Sequence, residues 1–197
     1  MLQAVEIVAL HDERCRLWHQ EPDAPEPTAG WLALVAAQHR ANFDLWHTED
    51  EARVPNAADS EIARVKRLVD KTNQRRNDLA EALDVALLEY LAATGLPSPQ
   101  ATLHSESPGL MIDRLSILAL KIHHTREEVA RTDAPAGHAE RNRMRLAVLM
   151  EQRGDLGACL DALWQQTLRG ERRFKLYQQL KMYNDPTLNP AVYRLAR

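Results

Sequence analysis

The chain has 197 residues, of which 45% are hydrophobic, 27% charged and only 5% aromatic, with a formal net charge of −3. That balance excludes a disordered chain, and the slight acidity excludes a nucleic-acid partner, which would need a basic stripe to displace counterions from phosphates. No apolar run approaches the roughly 18 residues that span a bilayer, and Glu6, Asp12 and Glu13 interrupt the N-terminal segment where a secretory leader would be uncharged. Cys15 and Cys159 form no CxxC pair. A cytoplasmic chain with reduced thiols and no membrane span is the expectation.

The pattern along the chain is helical throughout. Residues 1–20 read as a first helix, followed by the proline-rich loop "EPDAPEPTAG". A second helix spans about 28–53, with Trp31, Leu34, Val35, Gln38, Asn42, Leu45, Trp46 and Glu49 at three- and four-residue steps. Asp59 reads as the N-cap of a long third helix ending near Thr94. Ser107-Pro108 has the form of an N-cap followed by proline at the first helical position. It opens a fourth helix to about 131 whose "LSILALKI" is apolar nearly all round and predicts the most buried element. A fifth helix runs over about 138–168 and a sixth over about 171–183, with a short C-terminal helix after "NDPTLNP". No strand pattern appears. The predicted fold class is all-α, an antiparallel helical bundle forming a single domain over 1–197.

An internal repeat organises the bundle. Residues 76–84 read RNDLAEALD and residues 153–161 read RGDLGACLD, an offset of 77. The same offset lays "WHTEDEA" at 46–52 on "HHTREEV" at 123–129. The bundle is therefore expected to be built on a duplicated helical hairpin, with halves at about 31–90 and 108–167 and terminal helices packed on it. The offset pairs His47 with His124, Asp50 with Glu127, and Arg76 with Arg153.

Several stretches resemble the bacterial domain-of-unknown-function family 4254: "NFDLWHTEDEAR", "VDKTNQRRNDLAEALD", "SPGLMIDRLSILALKIHH" and "KMYNDPTLNP". The resemblance spans nearly the whole chain. It implies an α-helical bacterial protein found near glycosyltransferase and lipopolysaccharide-assembly genes. It implies no activity, cofactor or catalytic residue.

The segment "NFDLWHTEDEAR" carries the densest chemistry. Asn42, Glu49 and Arg53 lie on or beside the apolar stripe of Trp46, and Thr72, Asn73 and Arg76 interrupt the stripe of the third helix. Buried charges need partners, so Arg76 is expected to pair with Glu49 or Asp50. Asn42, Trp46, Glu49, Asp50, Arg53, Asn73 and Arg76 are the candidate ligand-binding residues, for a small anionic or sugar ligand. His47 and His124 are the candidate catalytic residues, because imidazole titrates near neutrality. The pairs His47/Asp50 and His124/Glu127 reverse the Glu-x-x-His order of di-metal bundles, and Asp70, Asp78 and Asp155 complete such a site only loosely. No metal and no cofactor is expected. His19 is expected to be half exposed beside a packed Trp18, and Asp113 to pair with Arg114 or Lys121. Lys181, Tyr183 and Asn184 of the tail are expected to serve a C-cap and a docked terminus. No Gly-rich phosphate loop or nucleophile elbow occurs. Two functions fit: an accessory protein of envelope-polysaccharide assembly that binds glycosyltransferase-pathway proteins, or an enzyme acting on an anionic or glycosyl substrate. A homo-oligomer is compatible with either.

Overall fold

The computed structural model describes residues 2–25, 27, 29–180 and 187–194. Five long helices dominate: α1 (Ala4–Gln20), α2 (Trp31–Glu51), α3 (Asp59–Ala92), α4 (Pro108–Ala130) and α5 (His138–Leu168). Two-residue strands β1 (Thr102–Leu103) and β2 (Arg172–Arg173) and a short α6 (Pro190–Tyr193) complete the described elements. The chain is thus an all-α bundle.

Short links force the hairpins. Residues 52–58 return α3 along α2, and residues 131–137 return α5 along α4. α4 then packs on α3 and α2, and α1 wedges against α2, α4 and α5. Burial follows the side-chain pattern. Ile7, Val35, Leu83, Leu87, Met111, Ile112, Leu115, Leu160 and Trp164 form the main core. Cys15, Trp18, Ala24, Phe43 and Leu120 form a smaller one beside it. α4 buries residues on nearly every side, from Pro108 to Thr125, as its apolar composition requires.

Three local expectations need correction, and the Ser107–Pro108 helix start holds with one added detail. Asp59 is the first helical residue of α3 and Ala58 is its N-cap. Asp59 and Glu61 in the first turn still suit the positive end of the helix dipole. Ser107 does occupy the N-cap of α4, but its hydroxyl makes no capping bond to the helix and donates to Asp84 Oδ2 instead. No sixth helix forms over the described part of 171–183. Gly170, at φ 72°, ends α5, and Arg172–Arg173 pairs in parallel with Thr102–Leu103, a strand pair the sequence pattern does not announce. Of the described residues of that segment only Phe174 is buried, while Leu176, Tyr177 and Leu180 stand exposed. An isolated amphipathic helix needs an apolar face to bury, and this segment has one anchor. Residues 181–186, with Lys181, Tyr183 and Asn184, lie outside the described residues.

Candidate functional site

The expected polar layer exists, but its hub is Asp113. This carboxylate, on the second turn of α4, is only 6% exposed. Its Oδ1 accepts Gln38 Nε2–H at 2.5 Å, Asn42 Nδ2–H at 2.9 Å and Arg76 Nε–H at 2.8 Å. Arg76 Nη2–H donates to Oδ2, so the pair is bidentate. That bonding holds the Arg76 guanidinium above its ordinary pKa against the opposing effect of burial. Asn42 also donates to Ser116 Oγ at 3.0 Å. Ser116 in turn donates to His39 Nδ1 at 2.7 Å, and His39 Nε2–H donates to the His11 carbonyl at 3.0 Å. Gln38, His39, Asn42 and Ser116 are all buried. This layer ties α1, α2, α3 and α4 together, and Gln38 Oε1 is its one buried atom without a partner among the described residues.

Arg76 therefore does not reach Glu49 or Asp50, and Asp113 pairs with neither Arg114 nor Lys121. Hairpin geometry explains the first correction. Arg76 lies 17 residues beyond the start of α3, about 25 Å up the helix at 1.5 Å per residue. It faces the Gln38–Asn42 level of α2, whereas Arg64, near the turn, meets Glu51 at 3.2 Å. The second correction follows from burial: Arg114 is exposed and takes Glu106 at 2.8 Å, while Asp113 points inward and needs a cation there.

The remaining candidates separate. Arg53 and Glu49 form an i, i+4 ion pair at 3.2 Å with side chains 67% and 41% exposed, on the surface. Asp50 is exposed. Asn73 is half-buried without a hydrogen bond among the described residues. None of these four lines the clefts described below.

Trp46, His47 and His124 instead belong to an aromatic cluster where α1, α2 and α4 converge. Trp46 stacks on His124, with centroids 5.1 Å apart and planes 9° apart. The His47 and His124 rings approach to 5.6 Å. His19, from the last turn of α1, lies 5.1 Å from each of them. His123 stacks on His19 at 4.1 Å. Phe43 packs on His47 and on His19, and Trp18 is buried, as its packing role predicts. Burial pushes the His19 imidazole below its ordinary pKa; the Cys15 carbonyl opposes this and the neighbouring His124 and His47 add to it. Burial also lowers His123, aided by His19. The Cys15 thiol beside them is pushed up to about 12 by burial, with Asp12 and Glu127 adding to the shift.

The tautomers of three rings follow from their partners. His19 Nδ1 lies 2.6 Å from the Cys15 carbonyl, and His47 Nδ1 lies 2.8 Å from the Phe43 carbonyl. His124 Nδ1 lies 2.9 Å from Glu127 Oε2. Carbonyls and carboxylates only accept, so each Nδ1 carries a proton, and in the neutral ring Nε2 is the nitrogen with the lone pair. Nε2 of His19 and of His124 is buried with no hydrogen-bond partner among the described residues.

His47 also lines an open cleft of about 470 Å³ between α2 and α3, with Phe43, Thr48, Leu68, Lys71, Thr72 and Arg75. Asp44 on its rim is neutralised by Arg40 at 2.7 Å. Lys71 and Arg75 have no ion-pair partner among the described residues. A larger groove of about 640 Å³ between α4 and α5 carries Arg114, Glu106, Lys121 and Asp155, with Arg114 and Glu106 already paired.

Sequence reasoning missed His19 and His123 as members of the cluster, and Lys71 and Arg75 in the cleft. The available signal was the "LWH" at 17–19 that repeats the "LWH" at 45–47, which places an aromatic and an imidazole on the ends of two adjacent helices.

Fold and site thus define an α-helical bundle with a buried carboxylate-centred layer and an imidazole cluster bordering a cationic cleft. Residues 32–176 match the family described as "Protein of unknown function (DUF4254)", and the chain belongs to that family. No curated protein and no solved structure matches the chain. Among the described residues no helix is long and apolar enough to cross a membrane.

Proposed function

We propose that this chain binds a small anionic ligand, of the class of phosphate- or carboxylate-bearing sugar derivatives, in the cleft between α2 and α3, and that His47 is the group placed to act on it. The observation that carries this reading is the position of His47. It lies on the wall of the cleft beside Lys71 and Arg75, which have no ion-pair partner among the described residues, and it belongs to the imidazole cluster. Two cations without carboxylate partners favour an anion, and Thr48 and Thr72 offer hydroxyls to it. Leu68 and Phe43 supply the apolar wall that small-ligand sites use. A role in envelope-polysaccharide assembly, suggested by the family resemblance, would supply ligands of this kind.

The test is calorimetric and NMR titration with inorganic phosphate and with glucose 1-phosphate, in buffer containing EDTA. Saturable binding is expected, with perturbation of His47 signals and a loss of at least about tenfold in affinity for the K71A/R75A double variant. Absence of binding, or equal binding by the double variant, refutes the assignment.

A second reading, an accessory protein that docks on pathway enzymes, draws support from a different surface. Met144, Val148 and Met150 on α5 are 66%, 52% and 47% exposed, and Val5 on α1 is 69% exposed. Met144 and Val148 share one face of α5, while Met150 lies on another beside Val5; exposed apolar side chains that lie together favour partner contact.

A further inference from the structure

We propose that His19, His47 and His124 together form a binding site for one divalent transition-metal ion, with zinc as the ion that fits best. The site shares His47 with the anion cleft but is argued from different atoms. It departs from the expectation, drawn from sequence spacing alone, that the chain holds no metal.

Three observations converge. First, one ligand nitrogen from each of the three residues lies within 4.8 Å of the other two. Second, the ring centroids form a nearly equilateral triangle of 5.1, 5.1 and 5.6 Å, with the planes mutually inclined by 61°, 73° and 63°. A tetrahedral zinc holds imidazole nitrogens at about 2.0–2.1 Å, which puts the ring centroids roughly 5 Å apart. The rings already stand at that separation and tilt. Third, the far nitrogen of every ring is fixed. The Cys15 carbonyl, the Phe43 carbonyl and the Glu127 carboxylate each accept an Nδ1–H. Metal-binding histidines are oriented in this way, because tying down one nitrogen fixes the tautomer and directs the other lone pair. Leaving Nε2 of His19 and His124 buried and unpartnered is costly for a purely structural cluster, and a metal ion removes that cost.

A second triad, Cys15, His19 and His123, is also compact. It shares His19, so the two sets compete for one ion. Nδ1 of His19, the atom that faces Cys15 Sγ at 3.9 Å, is already committed to the Cys15 carbonyl. The Cys15 side chain is also almost wholly buried in the apolar cluster with Trp18 and Phe43, where a thiolate is disfavoured. The three-histidine set needs no such ionisation. It leaves a fourth position for water or for a ligand, the arrangement of catalytic rather than structural zinc sites. His47 lies on the cleft wall, so that position has access to solvent and to an anion held by Lys71 and Arg75.

The experiment uses the full chain with any affinity tag removed. Zinc is titrated by calorimetry without phosphate, so metal binding and the anion binding proposed above can fail independently. One equivalent is expected to bind. Cobalt is expected to give the visible absorption of a four-coordinate site. H47A and H124A should each weaken zinc binding by about 100-fold or more, and E127Q by about tenfold, whereas H123A should bind within a few-fold of wild type. Circular dichroism checks that each variant folds. X-ray absorption of the wild-type zinc complex removes the dependence on variants: three nitrogens at about 2.0–2.1 Å with no sulfur are expected. Three results would overturn the proposal: no saturable zinc binding by the folded chain, binding indifferent to H47A and H124A, or a sulfur shell near about 2.3 Å that gives the ion to Cys15.

Discussion

Asp84 and Asp161 stand 77 residues apart, and each accepts a backbone N–H at the N-terminus of another helix. Asp84 Oδ1 takes Gly109 N–H of α4 at 2.7 Å, and Asp161 Oδ1 takes Ala4 N–H of α1 at 2.8 Å. The parallel extends one layer further. Arg76 bridges to Asp113 on α4, and Arg153, 77 residues later, bridges to Asp12 on α1 at 2.6 Å. So α1 stands to α5 as α4 stands to α3. The Arg and Asp of RNDLAEALD and RGDLGACLD do the same two jobs: the Asp caps an incoming helix and the Arg neutralises a carboxylate on it. The offset also relates two pairs that meet each other, His39 with Ser116 and His47 with His124.

Asp113 is the acceptor on which this layer depends, so its removal should cost more than removal of any donor. Asp113→Ala leaves Arg76, Gln38 and Asn42 without their acceptor. Breaking a buried ion pair costs up to about 3–5 kcal/mol, and the partial exposure of Arg76 places the expected loss at about 2–4 kcal/mol. Arg76→Ala should cost less, because Gln38 and Asn42 still satisfy the carboxylate. Glu49→Ala, which removes only an exposed pair, should change stability by less than about 0.5 kcal/mol. Urea denaturation of the three variants ranks them. An Asp113→Ala loss no larger than that of Glu49→Ala would mean that the layer holds nothing together.

The helices, the buried α4 and the presence of a polar layer are legible because they follow from periodicity and from the cost of burying charge. The partner of Arg76 is missed when polar residues are matched by chemistry before hairpin register is counted. Arg64 meets Glu51 near the turn, and Asn42 and Arg76 meet further up through their shared acceptor Asp113. The role of Asp113 is obscured by its neighbour Arg114, which offers a local partner on paper but faces solvent. The meeting of His19 with His123 is out of reach for another reason. Their meeting depends on how the end of α1 lands on α4, and no periodicity in either helix sets that position.

The glycines separate close approach from ordinary helix propensity. A Cβ on Gly109 would lie 2.2 Å from the Ala80 carbonyl oxygen and 2.9 Å from Asp84 Cγ, so α3 and α4 would have to part. Gly109→Ala should lose about 2–3 kcal/mol, the upper range for overpacking. Gly154, in the middle of α5, has no atom within 4 Å of that position. Gly154→Ala should gain about 0.5–1 kcal/mol, because alanine loses less entropy on entering a helix. Thermal denaturation of both variants should give shifts of opposite sign. Equal shifts would contradict the close contact at Gly109.

The pH dependence of stability tests the buried titratable groups, which pull in opposite directions. His39 is fully buried. Desolvation lowers its pKa to about 3, with its hydrogen bond to the His11 carbonyl opposing this. An unfolded histidine titrates near about 6.5. Between these values the unfolded chain carries a proton that the folded chain lacks, so stability is full above about 6.5 and is lost as pH falls, by about 1.4 kcal/mol per pH unit. His11, lowered by burial and then by His39, adds a loss of the same sign. Asp84 acts the other way. Burial raises its carboxyl to about 6, with Ser107 and Gly109 opposing and Glu81 adding. An unfolded aspartate titrates near about 3.9, so between about 4 and 6 the folded chain holds the extra proton and stability falls as pH rises. In that window Asp84 cancels one of the two histidine contributions. Asp84→Asn should therefore steepen the acid loss between about pH 4 and 6 by about 1.4 kcal/mol per pH unit, and His39→Gln should flatten it by a similar amount. The amide introduced by His39→Gln can still donate to the His11 carbonyl, so the folded state survives for the measurement. Urea midpoints taken every half unit across the window give both slopes. A wild-type slope left unchanged by Asp84→Asn would show that the carboxyl titrates alike in the folded and unfolded chains.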